Sequence, residues 1–177
     1  MKKIKFILLL LSLISLNQCE EDINTIKPAR TDLFLVINEF MAKNDSICQD
    51  TFGEYDDWIE IYNTGESALN IGGMYFSDDP TNLRKSQIQG IDPEKTIIEP
   101  GKFLIIWADN DVEQGVLHLN FKLNGSGESI ILTQSNGITV VDSISYDLQT
   151  TDISMGRSPN GTNNWIFINH PTPGESN

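Results

Sequence analysis

From Leu33 onward the chain breaks into apolar runs too short for helices, each closed off by turn-forming residues. Leu33-Phe34-Leu35-Val36-Ile37 is the first such run. The stretch Asp57 to Asn63 alternates, with Ile59 and Ile61 on one side and Trp58, Glu60 and Tyr62 on the other. A period of two is that of a strand, whose successive side chains point to opposite faces. Met74 to Phe76, Thr96 to Ile98, Leu117 to Leu123, Ser129 to Thr133, Ile138 to Tyr146 and Trp165 to Ile168 add further candidate strands. Lys102 to Ala108 is apolar on both sides and is predicted as a central strand. Between the runs, Glu99-Pro100-Gly101-Lys102 carries proline and glycine where a type II turn wants them. Ser135-Asn136-Gly137 is a hairpin signal, because Asn-Gly accepts the left-handed turn that suits strand twist. No segment sustains a helical period over about ten residues. The pattern excludes a helical bundle and an alternating βα fold, and predicts an all-β sandwich or barrel.

The N-terminus follows different rules. Lys2, Lys3 and Lys5 form a basic region, and an apolar stretch runs from Phe6 to Leu16. It is shorter than the roughly 20 residues that span a bilayer, and polar Asn17-Gln18 and acidic Glu20-Glu21-Asp22 close it off. Residues 1–18 are therefore expected to be a signal peptide of the lipoprotein type. Cys19 stands where a bacterial lipoprotein leader is cut and its new N-terminal cysteine acylated. Residues 19–32 are polar, contain Pro28 and show no period, so they are expected to be a tether, with residues 33–177 as one domain. Lipidation of Cys19 leaves Cys48 alone in the mature chain, which excludes an internal disulfide.

Charge narrows the partners. The formal charge is −13, and removing the leader takes away three lysines and no acids, leaving −16. Such an excess repels phosphate backbones and anionic headgroups, so nucleic acid is disfavoured. The catalytic inventory is thin. His118 and His170 are far apart, Cys48 has no neighbouring base, and neither a zinc helix nor a nucleophile elbow is present. No enzyme and no obligate cofactor are expected.

At this point the strand set resembles a known family, the bacterial lamin-tail domains. Val36-Ile37-Asn38-Glu39-Phe40-Met41-Ala42 is similar to their opening, and Tyr55 to Asn63, Ser77-Asp78-Asp79-Pro80 and Ile106-Trp107-Ala108-Asp109 follow in the family's order. His118 to Leu123, Gly125 to Glu128, Gly156-Arg157, Trp165 and Pro171-Thr172-Pro173-Gly174 also fit. The resemblance implies an immunoglobulin-like β-sandwich and a non-catalytic accessory module on an exported protein. Transfer of function by fold alone is analogy.

Two sets of residues are candidates for a site. Asp56, Asp57, Asp78, Asp79, Asp109 and Asp111 fall at strand ends or in loops, which gather at the two ends of a sandwich. A calcium ion needs about 6–8 oxygens, so two or three of these loops would have to converge to bind Ca2+. Capping of turns is the commoner use of such aspartates. Trp58, Tyr75 and Trp107 are the candidate binding aromatics, with burial in the core as the competing use. The expected function is an envelope-tethered binding or structural module on the outer membrane or cell surface. It would be held to the membrane through Cys19 and would meet a protein or glycan partner. The alternatives are a calcium-dependent carbohydrate-binding module and a small metal-dependent hydrolase.

Overall fold

Every strand of a sandwich must turn one face inward, and the way this chain achieves that begins with a single extra residue. In the computed structural model, which describes residues 34–177, β1 (Leu35–Met41) pairs antiparallel with β2 (Asp57–Asn63). Ile37 faces Ile61, but the next pair is Glu39 with Glu60, so Asn38 is a bulge. Before the bulge Leu35 and Ile37 point into the core; after it Phe40 and Ala42 do. One inserted residue reverses the alternation, which is how odd and even positions of one strand share a core.

Nine further strands complete the described chain: β3 (Leu69–Asn70), β4 (Tyr75–Ser77), β5 (Ser86–Gln87), β6 (Ile97–Ile98), β7 (Phe103–Ala108), β8 (Glu128–Thr133), β9 (Val140–Tyr146), β10 (Ser154–Arg157) and β11 (Trp165–Ile168). Among the described residues the helical content is a single turn at Pro93–Thr96 and a 3-10 turn at Val112–Gln114. One sheet has the order β11-β10-β1-β2-β7, a second β5-β4-β8-β9, and β3 pairs with β6 apart from both. All pairings between named strands are antiparallel. The core joins Ile37, Phe40, Ile59, Ile61 and Ile106 of the first sheet to Phe76, Ile130, Leu132 and Tyr146 of the second. The fold is all-β, an immunoglobulin-like β-sandwich.

The structure corrects several local expectations. β7 lies at the edge of its sheet rather than in the centre. Residues 117–119 cover that edge, Trp107 donating to Leu117 O and accepting from Leu119 N, both at 2.8 Å. The expected strand Leu117 to Leu123 is thus an irregular cover. The turn at Glu99–Lys102 forms as predicted, with Gly101 at φ +67° and Lys102 N donating to Glu99 O. At the hairpin only Gly137, at φ +67°, is left-handed, while Asn136 is not. Gly137 N closes a turn on Gln134 O, so the connection is an ordinary turn followed by a left-handed glycine.

The outer face of β1 and β2 is not a solvent face. Glu39, Met41, Trp58 and Glu60 are all fully buried. The C-terminal segment accounts for the polar pair. Thr172 donates to Glu39 through N (3.2 Å) and Oγ1 (2.9 Å), and Gly174 N donates to Glu60 Oε2 at 2.7 Å. Asn177 Nδ2 donates to Arg157 O at 2.9 Å. The Pro171 to Gly174 motif is therefore a strap laid across the sheet, and its hydrogen bonds serve two buried carboxyl groups.

Candidate functional site

The loop from Ala42 to Asp56 joins β1 to β2 and is built by two polar side chains. Asn44 Oδ1 accepts from Ile47 N and Cys48 N, while its Nδ2 donates to Cys48 O (2.6 Å) and Asp56 O (2.8 Å). Asp50 Oδ1 accepts from Phe52 N (2.9 Å) and Glu54 N (2.8 Å). Asn and Asp close turns in this way because their short side chains reach nearby backbone amides. Asp152, from the loop before β10, ties the segment down by accepting from Asp45 N, Ser46 N and Ser46 Oγ.

These turns carry Asp50, Glu54 and Asp56 to one place, where their oxygens lie within 4.8 Å of one another. Lys122 Nζ sits 3.6 Å from Asp56 Oδ1, and Gln114 Nε2 donates to Glu54 Oε2 at 2.6 Å. Burial pushes the Asp56 carboxyl above its ordinary pKa, with Lys122 pulling the other way. A polar recess of about 330 Å³ opens between Lys43, Asn44, Tyr55, Asp56 and Lys122. Phe52 and Tyr55 stand out of the same loop, 59% and 44% exposed.

The six aspartates that were candidate ion ligands do not gather, and most take the commoner capping or pairing role. Asp78 is held by Lys85 at 2.6 Å, and Asp79 accepts from Thr81 N and Oγ1. Asp109 is buried against His118 Nδ1 and also accepts from Asp111 N, while Asp111 itself is exposed. Asp57 Oδ2 accepts from Leu123 N at 3.2 Å, and burial raises its pKa to about 6. Only Asp56 joins the three-residue group found among the described residues. Physically, aspartates in loops find nearby donors first, and five of the six have done so or point into solvent.

The aromatic set is corrected as well. Trp58 is fully buried and cannot meet a partner. Tyr75 is half-buried on β4, with its hydroxyl accepting from Gln87 Nε2. Trp107 is half-buried and lines a recess of about 120 Å³ with Gln114 and His118. The rings that do face solvent at the loop end are Phe52 and Tyr55. The sequence reading passed over Asp50, Glu54, Phe52 and Gln114, although the spacing Asp50-x-x-x-Glu54-x-Asp56 around Gly53 is a visible signal of acids on one turn.

Cys48 is half-buried and unpaired, and burial pushes its thiol pKa up, away from the reactive thiolate. Cys19, the signal peptide expected at residues 1–18 and the tether expected at residues 19–32 lie outside the described residues. Among those described, no helix is long and apolar enough to cross a membrane.

The family model of the Lamin Tail Domain matches residues 28–147, which is more than half of the chain. No curated protein and no solved structure matches it. The bulged β1, the alternating β2 and the match over most of the sandwich agree, and the chain belongs to the lamin tail domain family.

Proposed function

We propose that this chain is a non-catalytic lamin-tail module displayed outside the cytoplasmic membrane, anchored through an acylated Cys19, and engaging a protein or glycan with its 42–56 loop end. The observation that carries the binding face is the exposure of Phe52 (59%) and Tyr55 (44%) on a loop whose backbone is internally hydrogen-bonded. Rings held on an ordered loop bury area on contact without a large ordering cost, which is what a recognition surface needs. The family's non-catalytic character and the suppressed Cys48 thiolate support a binding role over a chemical one.

The anchor is supported by the basic, apolar and polar layout of residues 1–18 and by the placement of Cys19. Two or more acyl chains hold a protein to a bilayer stably, each buried methylene adding about 0.8 kcal/mol. In cells labelled with palmitate, the wild-type chain is expected in the membrane fraction with label. Cys19→Ser should lose the label and leave that fraction. A serine variant that labels as strongly as wild type sinks the anchor.

A second reading is favoured by the same loop, because exposed rings beside carboxylate oxygens are the pairing a calcium-dependent carbohydrate-binding module uses. On a glycan array, that reading expects binding that requires calcium and disappears in Phe52→Ala. Calcium-independent binding, or binding untouched by the substitution, returns the loop to a protein partner. Against the hydrolase alternative, Asp78, Asp79, Asp109 and Asp57 are dispersed among Lys85, Thr81, His118 and backbone donors.

A further inference from the structure

Surface carboxylates cluster without binding anything, so the proximity of Asp50, Glu54 and Asp56 is not in itself a site. Asp50 makes the difference. It is only 8% exposed, its Oδ1 is committed to two backbone N–H groups, and its Oδ2 is sealed from solvent with no hydrogen-bond partner. A buried carboxylate oxygen facing no donor is a costly arrangement that folded proteins avoid. Beside it is a second orphan of the same kind. Gln114 gives its Nε2 to Glu54, and its Oε1 is buried without a partner. Both unsatisfied atoms are acceptor oxygens, one on a member of the three-carboxylate group and the other on the side chain hydrogen-bonded to Glu54 of that group. Lys122 offers one positive charge to Asp56, from a side chain 62% exposed, and makes no hydrogen bond to Asp50. The missing element is positive charge that accepts oxygen lone pairs.

We infer that Asp50, Glu54 and Asp56 form a divalent-cation site of the calcium type, with Gln114 Oε1 as a neutral oxygen at its edge. Oxygens that lie within 4.8 Å of one another can share an ion, since calcium–oxygen distances of about 2.4 Å place opposite ligands that far apart. The donor set is all oxygen, which suits a hard cation and disfavours zinc or copper. Exposed Glu54 and half-buried Asp56 leave room for water to complete the shell. Few protein ligands and a solvent-open side place the affinity in the weak range of extracellular calcium modules, about 10⁻⁴–10⁻³ M. An ion here would join the 42–56 loop to the 3-10 turn of Gln114 and stiffen the segment that presents Phe52 and Tyr55. This site goes beyond the display role and does not depend on the anchor at Cys19.

The test uses the purified full-length chain and terbium, a calcium mimic whose emission is sensitised by nearby aromatic rings. Tyr55 lies between two of the three ligands. Saturable emission that millimolar calcium displaces is expected, together with a calcium-dependent rise in melting temperature. Asp50→Asn keeps an oxygen for the N–H groups of Phe52 and Glu54, so the loop should fold. It should bind terbium about tenfold more weakly or worse, and without calcium it should melt no lower than wild type. Glu54→Gln, at an exposed ligand, is the second variant, with the same loss of affinity expected. Asp79→Asn, outside the group, should bind as wild type does. Absence of saturable terbium emission from the wild-type chain overturns the site. So does undiminished binding by Asp50→Asn, or by Glu54→Gln should the first variant not fold. A Cys19→Ser variant that keeps its palmitate label would sink the anchor and leave this result untouched, so failure of one reading is distinguishable from failure of the other.

Discussion

Arg157→Ala should lower the unfolding free energy by about 3–5 kcal/mol, the range for breaking a buried, hydrogen-bonded charge pair. Arg157 is 4% exposed, and its guanidinium makes four hydrogen bonds in three directions. Nε donates to Ile37 O at 2.7 Å, Nη1 to Thr162 O and Asn163 Oδ1, and Nη2 to Asp142 Oδ2 at 2.8 Å. The same group lies over the Trp165 ring, 4.7 Å from its centroid. Asp142 Oδ2 also accepts from Ile37 N, so one carboxylate and one guanidinium together serve the backbone of β1 next to its bulge. Alanine removes every one of these donors and leaves Asp142 without its buried counter-charge. Lysine should not rescue the loss, because a point charge cannot fork between a carbonyl, a loop and a carboxylate. Denaturant unfolding measures the effect, with exposed Arg84→Ala as the control, expected to lose less than about 1 kcal/mol. A loss at Arg157 as small as the control's would show that the fork is not what joins β10 to β1.

That prediction bears on where the domain ends. The family match stops at residue 147, immediately after β9, yet β10, β11 and the C-terminal strap lie beyond it. β10 pairs with β1, and the strap supplies the donors for Glu39 and Glu60. A chain cut at residue 147 would bare one edge of β1 and leave two buried carboxyl groups short of partners. Stability and the matched span are therefore different things in this protein, and residues 148–177 belong to its sandwich.

How far the sequence carried the reading depends on whether the cause was local. The alternation of Asp57 to Asn63 returned β2 with its observed limits, because a half-buried strand writes its period into its own residues. β3, β5 and β10 left no such trace. Two residues at Leu69–Asn70 and Ser86–Gln87 cannot show a period, and Ser154–Arg157 is a strand because β1 and β11 flank it. The bulge at Asn38 is equally invisible, since a bulge exists only relative to a partner strand. Trp58 lies on the face of β2 opposite Ile59 and Ile61, as the alternation predicts, yet it is fully buried, and the strap that reaches Glu60 on that face brings Gly174 from 114 residues away. The candidate aspartates are dispersed for a related reason. Residue type selects candidate ligands, whereas the competing donor, such as Lys85 for Asp78 or His118 for Asp109, is chosen by the fold.

The strap also sets an expected pH response. Burial raises the Glu60 pKa from 4.5 to about 8, against the hydrogen bonds from Gly174 N and Asn38 Nδ2 that favour its charged form, with nearby Glu39 adding to the rise. The folded chain then holds a proton at Glu60 that the unfolded chain releases near pH 4.5. Between those two values the native state binds more protons, so stability should fall as pH rises from 4.5 towards 8, and level off above. The slope approaches about 1.4 kcal/mol per pH unit for one proton, and the total is of the order of a few kcal/mol. Asp57, raised to about 6, contributes in the same direction over a narrower window. Comparing wild type with Glu60→Gln isolates the Glu60 share, because the amide cannot ionise while the other carboxyls still titrate. The difference in unfolding free energy between pH 5 and pH 8 should be large for the wild type and reduced by most of that amount in the variant. Glu60→Gln leaves the Gly174 N–H or the Asn38 amide with a poorer partner, so it should be the less stable protein at pH 5 and the more stable one at pH 8. A pH profile that runs parallel in the two proteins would mean that Glu60 is already ionised in the fold, its charge stabilised by the hydrogen bonds of Asn38 and the strap.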